Sequence, residues 1–596
     1  MKKLILTFSV LVVMAGCNDE FLDRYPQTEI AKENFFNSEE DLATYVYSLY
    51  DFPGIGIYVS DHSTDNAATT GATEIKNIMT GTPTASNITG GWSWEALRNV
   101  NFFLENFRNA QISEEALNHY EGLARFFRAR FYMDKVKRFS DVPWYDKVLE
   151  TDDEDLFKPR DSRRMVVEKI FEDYAFAAEH VRSEKVKGEV NKYVVLAYMA
   201  RHALYEGTYR KYHSELQLES TANAFLELAR DAASQIMDDG EYAVYNTGSP
   251  LEDYNALFTS TDLSDNPEVI LATFSESDLR NSGWWGYMFG NYEVNPVRDL
   301  LQAYLMDDGG YYTDFAGYEE NQFVEEFENR DNRLYQTYAY PGWELINTST
   351  YAQGGGIYIQ QLAKNFSGYH QIKGFVNNTD QTVMNNVDVP VLRYAETLLT
   401  YAEARAELGE LTQEDLDISV NLLRARAGMP GLTISPAVDA VQQARYPGLS
   451  SSTSQWQELL EIRRERRIEL ALEGFRFDDL MRWAAGKLIE KEPEGIYFPG
   501  LGEYDLTGDG VEDIKIIPNT ESIPAVKEKN SLDIPYVYYR AGLPGSDAGI
   551  YLTGGTSGTL VTDAERGTFV EPKYYYRPVP QSQVVLNPNL EQIFGW

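Results

Sequence analysis

The sequence predicts a mainly α protein: a stack of helix pairs carrying a large loop-rich remainder with few short strands. Three observations lead there. Several segments place apolar residues at helical spacing, alanines recur where such helices would meet, and the stretches between them are long and rich in Gly, Asn, Thr and Tyr.

In chain order, the first clear helical segments are EALRNVNFFLENF and EGLARFFRARFYMDKVKRF, with Leu123, Phe126, Phe127, Phe131 and Val136 as the expected packing positions. NKYVVLAYMARHALYEG and ANAFLELARDAASQIMDDG follow, and are expected to end at Gly207 and Gly240, since glycine tolerates the left-handed conformation that closes a helix. LRYAETLLTYAEARAELG comes next. Ala197, Ala200, Ala402 and Ala404 would let neighbouring helices approach closely, as in stacked helix pairs of the tetratricopeptide kind, although the strict repeat consensus is absent. The last strong stretch, EIRRERRIELALEGFRFDDLMRW at 461–483, aligns Glu461, Glu465, Glu469 and Glu473 in one column. Each i,i+4 pair of like charges costs roughly 0.2–0.5 kcal/mol in an isolated helix. Such a column requires either solvent or partners from elsewhere in the fold. The stretches 60–92, 240–295, 306–390 and 490–596 read as loops. Long loops on a rigid scaffold suit binding.

Of the 596 residues, 43% are hydrophobic and 13% aromatic, which excludes a disordered chain. Lys and Arg number 53 against 92 Asp and Glu, a net charge of −39. That balance excludes a nucleic-acid partner, whose phosphates call for a basic surface, and reads as a solubility feature. No HExxH, GxSxG or GxxxxGK[ST] motif is present, and the six histidines lack metal-ligand spacing. Acids are abundant, but a glycosidase pair is defined by spacing in three dimensions. The reading is of a protein that is not an enzyme.

At the N-terminus, MKKLILTFSVLVVMAGC joins two lysines to an apolar run, Leu4 to Gly16, that is too short for the about 20 residues a spanning helix needs. It reads as an export signal over residues 1–16. Cys17 is the single cysteine, so no internal disulfide or thiolate zinc site is available. Its position resembles the lipobox of bacterial lipoproteins, where the cysteine is acylated and anchors a soluble body to a membrane. The acidic NDEFLD that follows resembles the surface-export signals of Bacteroidetes lipoproteins.

YDLTGDGVED at 504–513 alternates oxygen ligands about Gly510. Asp505, Thr507, Asp509, Asp513 and the Val511 carbonyl form a candidate structural calcium loop, although the twelfth position of a full EF-hand is Ile516; the alternative is a plain Asp/Gly turn.

FLDRYPQTEI, VKRFSDVPW, NRDNRL, DVPVLRYAETLLTYAEARAELG, RARAG, the 461–483 stretch and the closing YYYRPVPQSQVVLNPNLEQIFGW together resemble, in order, the SusD/RagB family of outer-membrane nutrient-binding lipoproteins. The resemblance implies a tetratricopeptide-like superhelix of four helix pairs against a loop-rich remainder. It divides the chain into an N-terminal part, 17–239, and a C-terminal part, 240–596, packed as one body. It implies a SusC-like TonB-dependent transporter as partner, and an outer-membrane, lipid-anchored location facing the exterior. Arg393, Arg405, Arg424 and Arg426 are then the expected partners of the glutamate column.

Sugar capture needs flat apolar faces with polar groups at their edges. Trp92, Trp284, Trp285, Tyr287 and Trp343 lie in segments that look like loops, with Asp65 and Asn66 as polar candidates, while Trp94 opens a helical pattern and is assigned to the core. The expected function is capture of an oligosaccharide for the transporter. Peptide capture, as in the RagB branch, and a structural helical-repeat adaptor are the alternatives.

Overall fold

The computed structural model describes residues 35–276, 294–346, 356–380, 385–562 and 566–596, together with 279 and 383. Helix starts follow local chemistry. α1 (Glu39–Tyr47) opens with a capping box in which Ser38 and Asp41 satisfy each other's backbone N–H groups. After α2 (Glu95–Asn106), α3 (Glu114–Phe139) and α4 (Arg163–His180) are capped by Ser113 and Ser162. Asn191 accepts from two N–H groups at the start of α5 (Lys192–Tyr212). α6 (Ala222–Asp239) closes at Gly240 with φ +67°, and α7 (Tyr394–Leu408) at Gly409 with φ +76°. α8 (Trp456–Glu469), α9 (Arg476–Arg482) and the C-terminal α10 (Gln581–Leu586) complete the set used below.

From α3 to α8 each helix packs on the next, which makes the array. Leu123, Phe126, Phe127 and Val136 are buried as expected and Phe131 is half-buried. Fully burying a side chain of this size stabilises by about 1.5–3 kcal/mol. Ala197, Ala200, Ala402 and Ala404 are buried in the same core, which also takes in Tyr574, Tyr575 and Tyr576 from the far end of the chain. Gly207 departs from expectation. α5 runs through it, because a Cβ there would lie 2.9 Å from the Leu226 side chain, so its role is close approach of α6 and not helix closure.

The strands are short. β1 (Ala67–Thr69) and β2 (Val269–Thr273) pair antiparallel with β3 (Val294–Pro296) and β4 (Val389–Arg393) respectively. A four-stranded sheet built from residues 502–551 is the largest among the described residues. The fold is therefore mainly α, as predicted.

All four glutamates of the column are buried. Glu465 accepts from Arg333 at 2.5 Å and Arg424 at 2.8 Å, and Glu469 from Arg426 at 2.5 Å, Arg393 at 3.0 Å and Arg333 at 3.1 Å. Arg393 and Lys373, each at 2.7 Å, hold Glu473, and Arg464 holds Glu461. Three expected partners arrive. Arg405 does not, since it turns to Asp415 at 3.0 Å in the capping box after α7.

Candidate aromatic cleft

A well-formed cleft walled by aromatic rings has a volume of about 570 Å³. It lies between the start of α2, the 143–157 loop and α10. A volume of roughly 300–1,000 Å³ is usual for small-ligand sites.

Its aromatic wall is built on α3. Lys135 donates to the carbonyls of Gly91 (2.5 Å) and Ser93 (2.6 Å), and its ammonium stands 5.4 Å from the Trp94 ring. Burial lowers this ammonium's pKa to about 8, so it still carries its proton at neutral pH. The tethered loop presents Trp92 and Trp94 edge to face, 5.4 Å apart, both half-buried. Trp92 is braced from behind by Phe139, and Trp94 meets Tyr145 at 5.4 Å. Burial pushes the Tyr145 hydroxyl up to about 12, keeping it protonated as a donor.

The opposite wall comes from the chain's other end. Asn587 and Asn589 donate to the carbonyls of Lys158 (3.0 Å) and Phe157 (2.7 Å), fixing Leu586 and Leu590 across from the tryptophans. Phe157, 53% exposed, stands at the mouth. On the floor, Asn101 donates through Nδ2 to the carbonyls of Tyr145 (3.0 Å) and Lys147 (3.1 Å), while its buried Oδ1 has no partner. Arg98 donates to the Leu149 carbonyl at 2.6 Å.

The structure redistributes the sequence candidates. Trp92 lines the cleft, and Trp94, expected in the core, lines it too, because it stands at the N-cap of α2 where the helix meets solvent. Trp343 is buried instead, edge-on to Tyr358 at 5.8 Å, because its loop folds back under Phe375. Asp65 and Asn66 are also interior. Arg476 grips Asp65 at 2.7 and 2.8 Å, and Asn66 bridges Asp61 and Arg467, which leaves neither a face for ligand. Cys17, Trp284, Trp285 and Tyr287 lie outside the described residues.

The candidate calcium loop, residues 504–513, is organised by its own carboxylates. Asp505 accepts from the N–H groups of Thr507, Gly508 and Gly510, Asp509 from Val511, and Asp513 from Leu506 and Thr507. The carboxylates serve the turn, and among the described residues no three His, Cys, Asp or Glu side chains gather as a metal site. These contacts support the reading of an Asp/Gly turn.

Tyr145 and Phe157 were missed, although the aromatic run in VPWYDK was a local signal for the first. Nothing local marks residues 583–590, which reach the cleft only through tertiary packing.

A helical array that carries a preformed aromatic cleft is the architecture of a binding scaffold. The chain belongs to the SusD family, whose model matches residues 252–596. A second model, described as "Starch-binding associating with outer membrane", matches residues 20–204. Neither description names an enzyme. A SusD-like protein of Formosa agariphila is 23% identical over 513 residues, covering 81% of this chain and 91% of that one. Another from the same organism is 22% identical, covering 82% and 92%. Among solved structures, a SusD-like protein from Bacteroides fragilis superposes with a TM-score of 0.66 at 22% identity, covering 96% of this chain and all of that one. A SusD-like carbohydrate binding protein from the same species gives 0.66 at 23%, covering 94% and 100%. No helix among the described residues is long and apolar enough to cross a membrane.

Proposed function

We propose that the protein is a non-catalytic, cell-surface lipoprotein that captures an oligosaccharide in the aromatic cleft and passes it to a SusC-like TonB-dependent transporter. The observation that carries this is the tethered Trp92–Trp94 pair facing a 570 Å³ cleft. Half-exposed indole and phenol rings offer flat faces to pyranose rings, and Tyr145 and Gln583 supply edge hydrogen bonds to hydroxyls. Membership of the SusD family, and the description of the second family model, support the saccharide and the outer-membrane setting. Acylation of Cys17 would hold the body above the transporter, where confinement raises the effective ligand concentration and modest affinity suffices.

The test is affinity electrophoresis of the purified chain against neutral and acidic plant, algal and host glycans. Retardation that weakens in Trp92→Ala supports the reading, and the release of new reducing ends would contradict its non-catalytic part. A second reading, peptide capture, is favoured by the aliphatic lining of Leu97, Leu149, Leu156 and Leu590, which also fits apolar side chains. Binding of oligopeptides in place of glycans would select it.

A further inference from the structure

We infer that the cleft selects uncharged glycans and rejects those bearing carboxylate or sulfate groups. This deepens the glycan reading and rests on it. The lining between the rings is aliphatic, with Leu97, Leu149, Leu156, Leu586 and Leu590. An anion entering such a surface loses hydration that only a free cation or a set of converging donors restores.

Among the described residues that line the cleft, the two cations, Arg98 and Lys147, are outweighed by the carboxylates close to them, Glu95, Asp153 and Asp155. Lys147 lies between Asp153 at 3.0 Å and Asp155 at 2.7 Å, so its charge is already matched twice. Arg98 donates to the Leu149 carbonyl at 2.6 Å, and Glu95, three residues before it on α2, brings the opposite charge to the same lining. The remaining polar groups favour a hydroxyl over an anion. Asn101 spends both of its amide hydrogens on the carbonyls of Tyr145 and Lys147 and its Oδ1 is buried, so it has no donor left for an anion. Glu95, exposed on the first turn of α2, is an acceptor open to a ligand. Acceptors reward a ligand that brings its own O–H donors and repel one that brings charge. The Gln583 amide and the Tyr145 phenol are neutral donors and compensate no charge. The ligand class is therefore a neutral saccharide with an apolar ring face and free hydroxyls.

The experiment compares each retained neutral glycan with the same polymer oxidised at its primary hydroxyls to carboxylates, and with its sulfated form, by affinity electrophoresis of the full chain. The expected result is at least tenfold weaker retention of the charged member. Glu95→Lys, an exposed change that leaves the core alone, should narrow that gap at low salt, and added salt should reopen it. Equal or tighter retention of the charged member by the unaltered chain overturns the selectivity while leaving the glycan reading standing. Retention unchanged by Trp92→Ala overturns the assignment to this cleft. If no glycan of either kind is retained, the glycan reading itself falls, and the selectivity with it.

Discussion

Arg426 donates to Glu469 across 2.5 Å with both side chains wholly excluded from solvent, at the centre of a lattice in which Arg393 and Arg333 meet the same carboxylate. A column of like charges that would weaken an isolated helix is thus the seam that joins α8 to the rest of the body.

Removing that carboxylate leaves three buried guanidinium groups short of a partner. Glu469→Ala is expected to destabilise the fold by about 3–5 kcal/mol, the usual result of breaking a buried pair from one side. Urea unfolding of both proteins checks it, and a midpoint within error of the parent's would refute it.

Acid should unfold the protein through the same groups. Burial alone would raise the carboxyl pKa values of Asp65, Asp299, Glu465 and Glu469, but the arginines around them win and hold all four below the usual range. The folded state therefore binds fewer protons than the unfolded chain as pH falls below the ordinary values of about 4, and stability rises with pH there. The contribution is fully present above about pH 5 and is lost progressively as pH falls toward the depressed folded values. Calorimetry at pH 7, 5, 4 and 3 should show a melting temperature that these groups leave flat down to 5 and that drops steeply below 4.

Trp92→Ala is expected to weaken glycan retention about tenfold or more, equivalent to ~1.4 kcal/mol. Lys135→Met should weaken it as well while leaving both rings in place, because the Gly91–Ser93 loop loses its two tethers. Retention unchanged in both variants would remove the cleft from the function.

Asp505→Ala should cost about 1 kcal/mol, because three backbone N–H groups lose their acceptor. Chelator should leave the melting temperature of the parent unchanged. A fall of several degrees on adding chelator would restore the calcium reading.

Cys17→Ala should abolish incorporation of labelled palmitate and move the protein from the membrane to the soluble fraction. Persistence of label in the variant would exclude the lipobox assignment.

The helical array was legible because 3.6-residue periodicity is written into short windows such as 114–139, where packing positions and caps lie close together. The glutamate column was legible as a paradox and three of its partners were named in advance, but Arg333 was not, since it comes from a loop 136 residues away from Glu469. The cleft was half legible. Trp92 stood out beside two glycines, whereas the role of Trp94 depends on its place at a helix end, and the far wall depends on residues 583–590 arriving by tertiary packing. Asp65 misled for a physical reason. A polar residue in a loop reads as solvent-facing, and the arginine that buries it is 411 positions further along.

That same distance sets a schedule for synthesis. Asp65 has none of its arginine partners, Arg445, Arg467 and Arg476, until the C-terminal part of the chain has been made. Closure of this buried cluster therefore waits on the C-terminal part of the chain.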